Sequence, residues 1–105
     1  MLQETARAVR FHDILSLVRE AWERAVLLLQ EARPTGQDLP RLREAARLLE
    51  ALRPDLERDA LLALAYLRMY QVVRKEEYFL RGYSYAWTSQ KEEALALAER
   101  VKEEA

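Results

Sequence analysis

The sequence predicts an all-α fold: a small helical bundle with two long antiparallel helices, a short connecting helix and a C-terminal helix. Three observations carry that expectation. Leu, Ala, Glu, Arg and Lys supply 66 of 105 residues, and all of them suit a helix. Only two Gly and three Pro interrupt the chain. Between those breaks the apolar residues recur at helical spacing. The length fits one domain spanning residues 1–105.

The first helix is expected from about Glu4 to Arg33, roughly 45 Å at ~1.5 Å per residue. Phe11, Leu15, Val18, Trp22, Ala25 and Leu29 step by alternating fours and threes, a heptad seam. Ile14, Leu17, Ala21 and Leu28 widen that stripe enough to touch two neighbours. His12, Arg19, Glu23 and Gln30 form a polar face, and Leu27 lies off the seam. Trp22, at the seam's centre, is expected to be mostly buried.

Arg33-Pro34-Thr35-Gly36-Gln37 stops the first helix, because Pro disfavours a helical residue before it and Gly permits positive φ. Asp38 is the expected N-cap of a second helix, with Pro40 tolerated in its first turn. Leu42, Ala45, Leu49 and Leu52 should face inward. Pro54 ends that helix, and Pro54-Asp55-Leu56-Glu57 reads as the acidic first turn of a third. The third helix is expected to continue to at least Leu80, antiparallel to the first, and to weaken at Gly82. Ser89-Gln90-Lys91-Glu92 has the S-x-x-E form of a capping box and should open a last helix. That helix should bury Ala94, Leu97, Ala98 and Val101 and fray after Lys102.

Charge and composition narrow the function classes. Seventeen basic and 18 acidic residues leave a net charge of −1, which gives no global attraction to nucleic acid or anionic membrane. Without Cys there is no thiolate chemistry and no Cys-ligated zinc. The first five residues lack a basic stretch leading into an apolar run, so no secretory signal is visible. The most apolar window, Ala60 to Val73, is too short to span a bilayer. A cytoplasmic protein without membrane attachment is the expectation. Fourteen Arg, with no Asn and no Cys, suggest a GC-rich thermophile as the source.

Few residues are placed for catalysis. There is no E-x-x-H for a di-iron site, no H-E-x-x-H, no phosphate-binding Gly-rich loop and no G-x-S-x-G. No cofactor, catalytic group or metal ligand is assigned. Arg7 and His12, the only histidine, have an R-x4-H spacing that resembles the nuclease signature of the HEPN toxin family. The likeness covers two residues. In that family the motif sits on a later helix, and Ala8 stands where a polar residue usually follows the Arg. The Arg41–Asp59 stretch alternates in sign and reads as a salt-bridged exposed face, with Glu44–Arg47 and Arg47–Glu50 spaced to pair. Glu20–Arg24 and Glu77–Arg81 are favourable i,i+4 pairs.

The local anomaly is aromatic. Seven of nine aromatics fall between Tyr66 and Trp87, interleaved with Arg68, Arg74, Lys75 and Arg81. On one helix, Tyr66, Tyr70, Tyr78 and Tyr85 share an arc, and Phe79, Tyr83 and Trp87 share the opposite one. The main expectation is core or oligomer contact. The alternative is a binding surface of Arg74, Arg81, Tyr83, Tyr85 and Trp87, in which two arginines on one helix face hold an anion beside a stacked flat group. The function expected is therefore a non-catalytic helical interaction or assembly protein. It would form homo-oligomers or bind another protein. The alternatives are a nucleic-acid or nucleotide-binding bundle using residues 66–87, and an enzyme with an unrecognised acid–base site.

Overall fold

A computed structural model describes the backbone of residues 2–104 and the side chains of residues 13–104. It is all-α. Five α-helices run in order: α1 (Leu2–Glu31), α2 (Leu39–Glu50), α3 (Leu56–Val73), α4 (Glu76–Ser89) and α5 (Glu92–Glu104). A 3-10 turn, Gly36–Asp38, precedes α2. There is no strand among the described residues.

Sequence neighbours pack antiparallel, and α3 lies at the centre, against α2, α4 and α5. α1 packs chiefly on α2. Because α2 is a full antiparallel helix, α1 and α3 run in the same direction on either side of it. This changes the expected pairing of the first and third helices. Two cores result. The first joins α1, α2 and α3 through Ala25, Leu28, Leu29, Leu42, Ala45, Leu49, Leu62 and Met69. The second joins α3, α4 and α5 through Ala63, Leu67, Ala86, Ala94, Ala98 and Val101. α3 is apolar almost all round because it serves both.

The third helix of the sequence reading is in fact two. α3 ends at Val73, Arg74 adopts a left-handed backbone (φ 63°), and Lys75 leads into α4. The amide of Arg74 donates to the Tyr70 carbonyl, which closes the last turn of α3. No Gly or Pro marks this break. Gly82, the expected weak point, instead lies buried in the middle of α4. A Cβ there would stand 2.8 Å from Leu67 Cγ and 3.2 Å from the Leu67 amide nitrogen. Gly82 therefore permits the close approach of α3 and α4.

The caps differ in detail from expectation. Asp55, not Pro54, starts α3, accepting from the amides of Glu57 and Arg58. Asp38 makes no side-chain cap to α2. Its carboxylate accepts from the Arg33 amide, the Thr35 hydroxyl and Arg41, tying the α1–α2 loop together. Those contacts, the Arg33 amide first, hold its pKa below the ordinary value. Ser89 closes α4, donating to the Ala86 carbonyl and accepting from the Lys91 amide, while α5 begins at Glu92. α5 continues to Glu104, past the expected fraying point. Leu52 and Leu97 are only partly buried.

Two arginines of α3 complete the C-termini of the other helices. Arg68 donates to the Leu29 and Ala32 carbonyls at the end of α1, at 2.6 and 2.9 Å. Arg58 donates to the Leu52 carbonyl beyond α2 at 2.8 Å. α1 has no basic residue in its own last turn, so α3 supplies the cation there. Burial pulls the Arg68 pKa down, yet a guanidinium keeps its charge.

Candidate functional site

The five residues of the expected binding surface do not form one surface. The break at Arg74–Lys75 puts Arg74 and Arg81 on different helices, so the two-turn spacing on one face is lost. Arg81 and Tyr85 face α2 and α3, whereas Tyr83 and Trp87 face the other side of α4.

On the first side, Tyr66, Tyr78 and Tyr85 cluster, with Tyr66 6.0 Å from each of the other two rings. The Tyr66 hydroxyl donates to Glu50 Oε1, and the Tyr85 hydroxyl donates to Glu50 Oε2 at 3.2 Å. Arg81 donates to the Tyr66 hydroxyl at 3.2 Å and pairs with Glu77 at 2.9 Å, the expected i,i+4 partner. Burial, then the hydrogen bond to Glu50, pushes the Tyr66 pKa up to about 12. Tyr85 is raised for similar reasons, burial first. Below this cluster lies a buried pair missed by the reading of 41–59 as an exposed face. Arg58 clasps Asp59 Oδ1 through Nε (3.1 Å) and Nη2 (2.9 Å), and Thr88 donates to Asp59 Oδ2 at 2.8 Å. Thr88 of α4 and the Leu52 carbonyl beyond α2 tie this pair to the neighbouring elements, which is the work of helix docking.

On the second side, Tyr70, Phe79, Tyr83 and Trp87 form a ladder with ring centroids 5.3, 5.6 and 6.3 Å apart. The two arcs expected on one helix thus become two clusters, with Tyr70 moved to the second by the chain reversal. Arg74 lies over Tyr70 at 5.4 Å and Lys102 over Tyr83 at 5.8 Å. The Tyr83 hydroxyl donates to Glu99. Only Trp87 presents most of its ring to solvent, at 59% exposure. The rings and cations partner one another.

The largest unpartnered feature lies elsewhere. α1 extends beyond α2, and its described residues from Asp13 to Glu20 are all exposed. Ile14 (57%), Leu15 (50%), Leu17 (63%) and Val18 (46%) lie open there. Trp22 sits where the overhang meets the bundle. It packs against the first core but is only partly buried, short of the burial expected from its place in the seam. The seam continues inward at Ala25 and Leu29, both buried. Leu27 is exposed, as its off-seam position implied. Two hollows meet at Trp22. One of about 410 Å³ is lined by Leu15, Val18, Leu52 and Arg58 among others. The other, of about 360 Å³, is lined by Val26, Ala60, Leu61 and Lys91 among others. Both open between α1 and α3, on either side of Trp22.

Salt bridges are few among the described residues. Arg24 pairs with Glu44 across α1 and α2 at 2.8 Å in place of the expected Glu20–Arg24 pair, while Arg47 acts on Glu44 through its charge without a direct bridge. Arg47–Glu50 is likewise replaced, since Glu50 takes the two tyrosines and Arg81. The hydrogen bond from Arg24 lowers the Glu44 pKa. Among the described residues no group of His, Asp and Glu side chains could hold a metal ion, and no helix is long and apolar enough to cross a membrane. The side chains of Arg7 and His12 lie outside the described residues. Comparison of the chain with protein-family models, with curated proteins and with solved structures finds no match.

Proposed function

We propose that the chain is a non-catalytic helical assembly module that works by docking the exposed face of α1 against another helix. One observation supports this reading most. Four large apolar side chains, Ile14, Leu15, Leu17 and Val18, are exposed on a helix that outruns its own bundle. Side chains of this kind cost free energy in water, at roughly 25 cal/mol per Å² of apolar surface, until a partner covers them. The polar groups, by contrast, are spent on holding α2, α3 and α4 together, which favours an interaction role over acid–base chemistry or anion binding.

The test compares the parent with a Leu15→Glu/Val18→Glu variant. Both positions are exposed, so the variant should keep its helicity and thermal midpoint. The parent, expressed in its native cells and cross-linked in place, should appear in species larger than its own 12.3 kDa. The variant should not. A parent found only as free chain would overturn the assembly reading.

A further inference from the structure

We propose that the hollow between α2 and the start of α4 binds a small phosphate monoester with a planar ring, the phosphate on Arg43 and Arg47 and the ring against Tyr66 and Tyr78. This goes beyond the assembly reading and does not rest on it, because the hollow is lined by α2, α3 and α4 alone.

Two cations stand outside the network that docks α2, α3 and α4. Arg43 and Arg47 are both exposed and lie one turn apart on α2, about 6 Å along its axis. Among the described residues neither guanidinium makes a hydrogen bond or a salt bridge. Arg47 acts on Glu44 through charge alone, and Glu44 is already bridged to Arg24. Like charges four residues apart on a helix repel, so the pair weakens α2 until an anion comes between them. Glu50, the carboxylate of the same hollow, is already engaged. Tyr66 and Tyr85 donate to its two oxygens, and Arg81 lies 3.6 Å away. The charge left at the hollow is therefore positive. Two guanidiniums match the roughly two negative charges and the three oxygens of a phosphate monoester.

The rest of the lining suits a ring. Tyr66 and Met69, at 5% and 2% exposure, form the floor, and half-buried Tyr78 forms a wall. The Tyr66 and Tyr78 rings are 6.0 Å apart and tilted by 42°, so they make a corner instead of a closed stack. The Tyr78 hydroxyl, unlike those of Tyr66 and Tyr85, makes no hydrogen bond among the described residues and adds a donor. Lys75 lies over the Tyr78 ring at 5.9 Å, a further positive charge close to that wall. The hollow measures about 460 Å³, within the range of roughly 300–1,000 Å³ usual for small-molecule sites. A bare phosphate would leave the floor uncovered, and an uncharged ring would leave the arginines unanswered, so the ligand needs both parts. The chemistry of an anion beside a flat group, expected of Arg74 and Arg81, is thus met by a different pair of arginines.

Met69 reports on this hollow. The chain has two methionines, Met1 and Met69, so methionine labelled on its methyl carbon puts one reporter on the floor. With phenyl phosphate as the probe, the Met69 methyl resonance of the full chain should shift saturably in the ring current of the bound probe. Inorganic phosphate and benzyl alcohol, each carrying one half of the probe, should bind about tenfold more weakly or worse. Arg43→Gln/Arg47→Gln should weaken phenyl phosphate by about tenfold or more. Both side chains are exposed and unbridged, so the circular dichroism and thermal midpoint of that variant should not fall. Arg53→Gln/Arg100→Gln removes the same charge from two exposed sites outside the hollow and should bind as the parent does. The proposal is overturned by a Met69 resonance that does not shift saturably, by benzyl alcohol binding as tightly as phenyl phosphate, by parental affinity in Arg43→Gln/Arg47→Gln, or by equal loss in both double variants. None of these measurements depends on α1, so the assembly reading stands or falls separately.

Discussion

Arg68 shows how one side chain of α3 can fix the end of another helix. Its guanidinium holds the last carbonyls of α1 in a half-buried place, where removing it strands two acceptors. Arg68→Met keeps much of the packing and loses the donors. It should lower stability by about 1–3 kcal/mol, read as a lower urea midpoint with an unchanged slope. Tyr66 makes a prediction about alkali. Its folded pKa, near 12, lies above the ordinary value of 10.0. Below about pH 10 both folded and unfolded chains keep the proton, and the contribution is fully present. As pH rises from about 10 toward about 12, the unfolded chain releases the proton first and stability falls. Tyr66→Phe should flatten that part of a stability-versus-pH curve, and an equal slope in parent and variant would count against the raised Tyr66 pKa, which burial causes first and the Glu50 contact second. Neither role was legible in sequence. Spacing placed Arg68 among rings and Glu50 and Asp59 on a surface, because partners 16, 29 and 39 residues away leave no local periodic trace.

At the scale of the element, most helix limits could be read from the sequence and the one between α3 and α4 could not. Pro34, Pro54 and the run after Ser89 mark their breaks by known backbone restrictions. Arg74 carries no such mark. An Arg in the left-handed region pays about 1 kcal/mol that Gly would not. The reversal is nevertheless demanded by packing, since Gly82 must meet Leu67 and Tyr85 must meet Tyr66. Arg74→Gly should therefore stabilise the chain by about 0.5–1 kcal/mol, the lost contact with Tyr70 offsetting part of the gain. Gly82→Ala should act in the opposite sense. Ala is favoured within a helix by about 1 kcal/mol, but its Cβ would press on the side chain and backbone of a fully buried Leu67. Overpacking of that kind costs about 1–3 kcal/mol, so a net loss is expected in urea denaturation. A sequence reader sees Gly82 as a place where a helix fails. In the fold it is the place where two helices touch.

For the whole molecule, the question is whether two cores make one cooperative unit. α3 joins the two cores, contributing Leu62, Tyr66 and Met69 to one and Ala63 and Leu67 to the other, and Tyr85 of α4 packs against both. The α3 residues alternate around one helix within two turns, so neither core can open without exposing the helix that supports its neighbour. The two tryptophans stand on opposite sides of that divide: Trp22 packs on the first core, and Trp87 ends the aromatic ladder beside the second. With Trp87→Phe, fluorescence reports the α1 side; with Trp22→Phe, it reports the α4 side. At one dilute concentration, where association does not contribute, each variant should give the same urea midpoint by fluorescence as by circular dichroism. Leu49→Ala in the first core should cost about 2–5 kcal/mol. It should move the Trp87 signal as far as the Trp22 signal, although α2 and Trp87 belong to different cores. A Trp87 transition that stays in place when Leu49 is truncated would mean that α3 with α4 and α5 folds as a unit of its own, with the α1–α2 hairpin docked onto it. The shared helix predicts the opposite, since Leu49 packs in the cluster that includes Leu62, one residue before Ala63 of the second core.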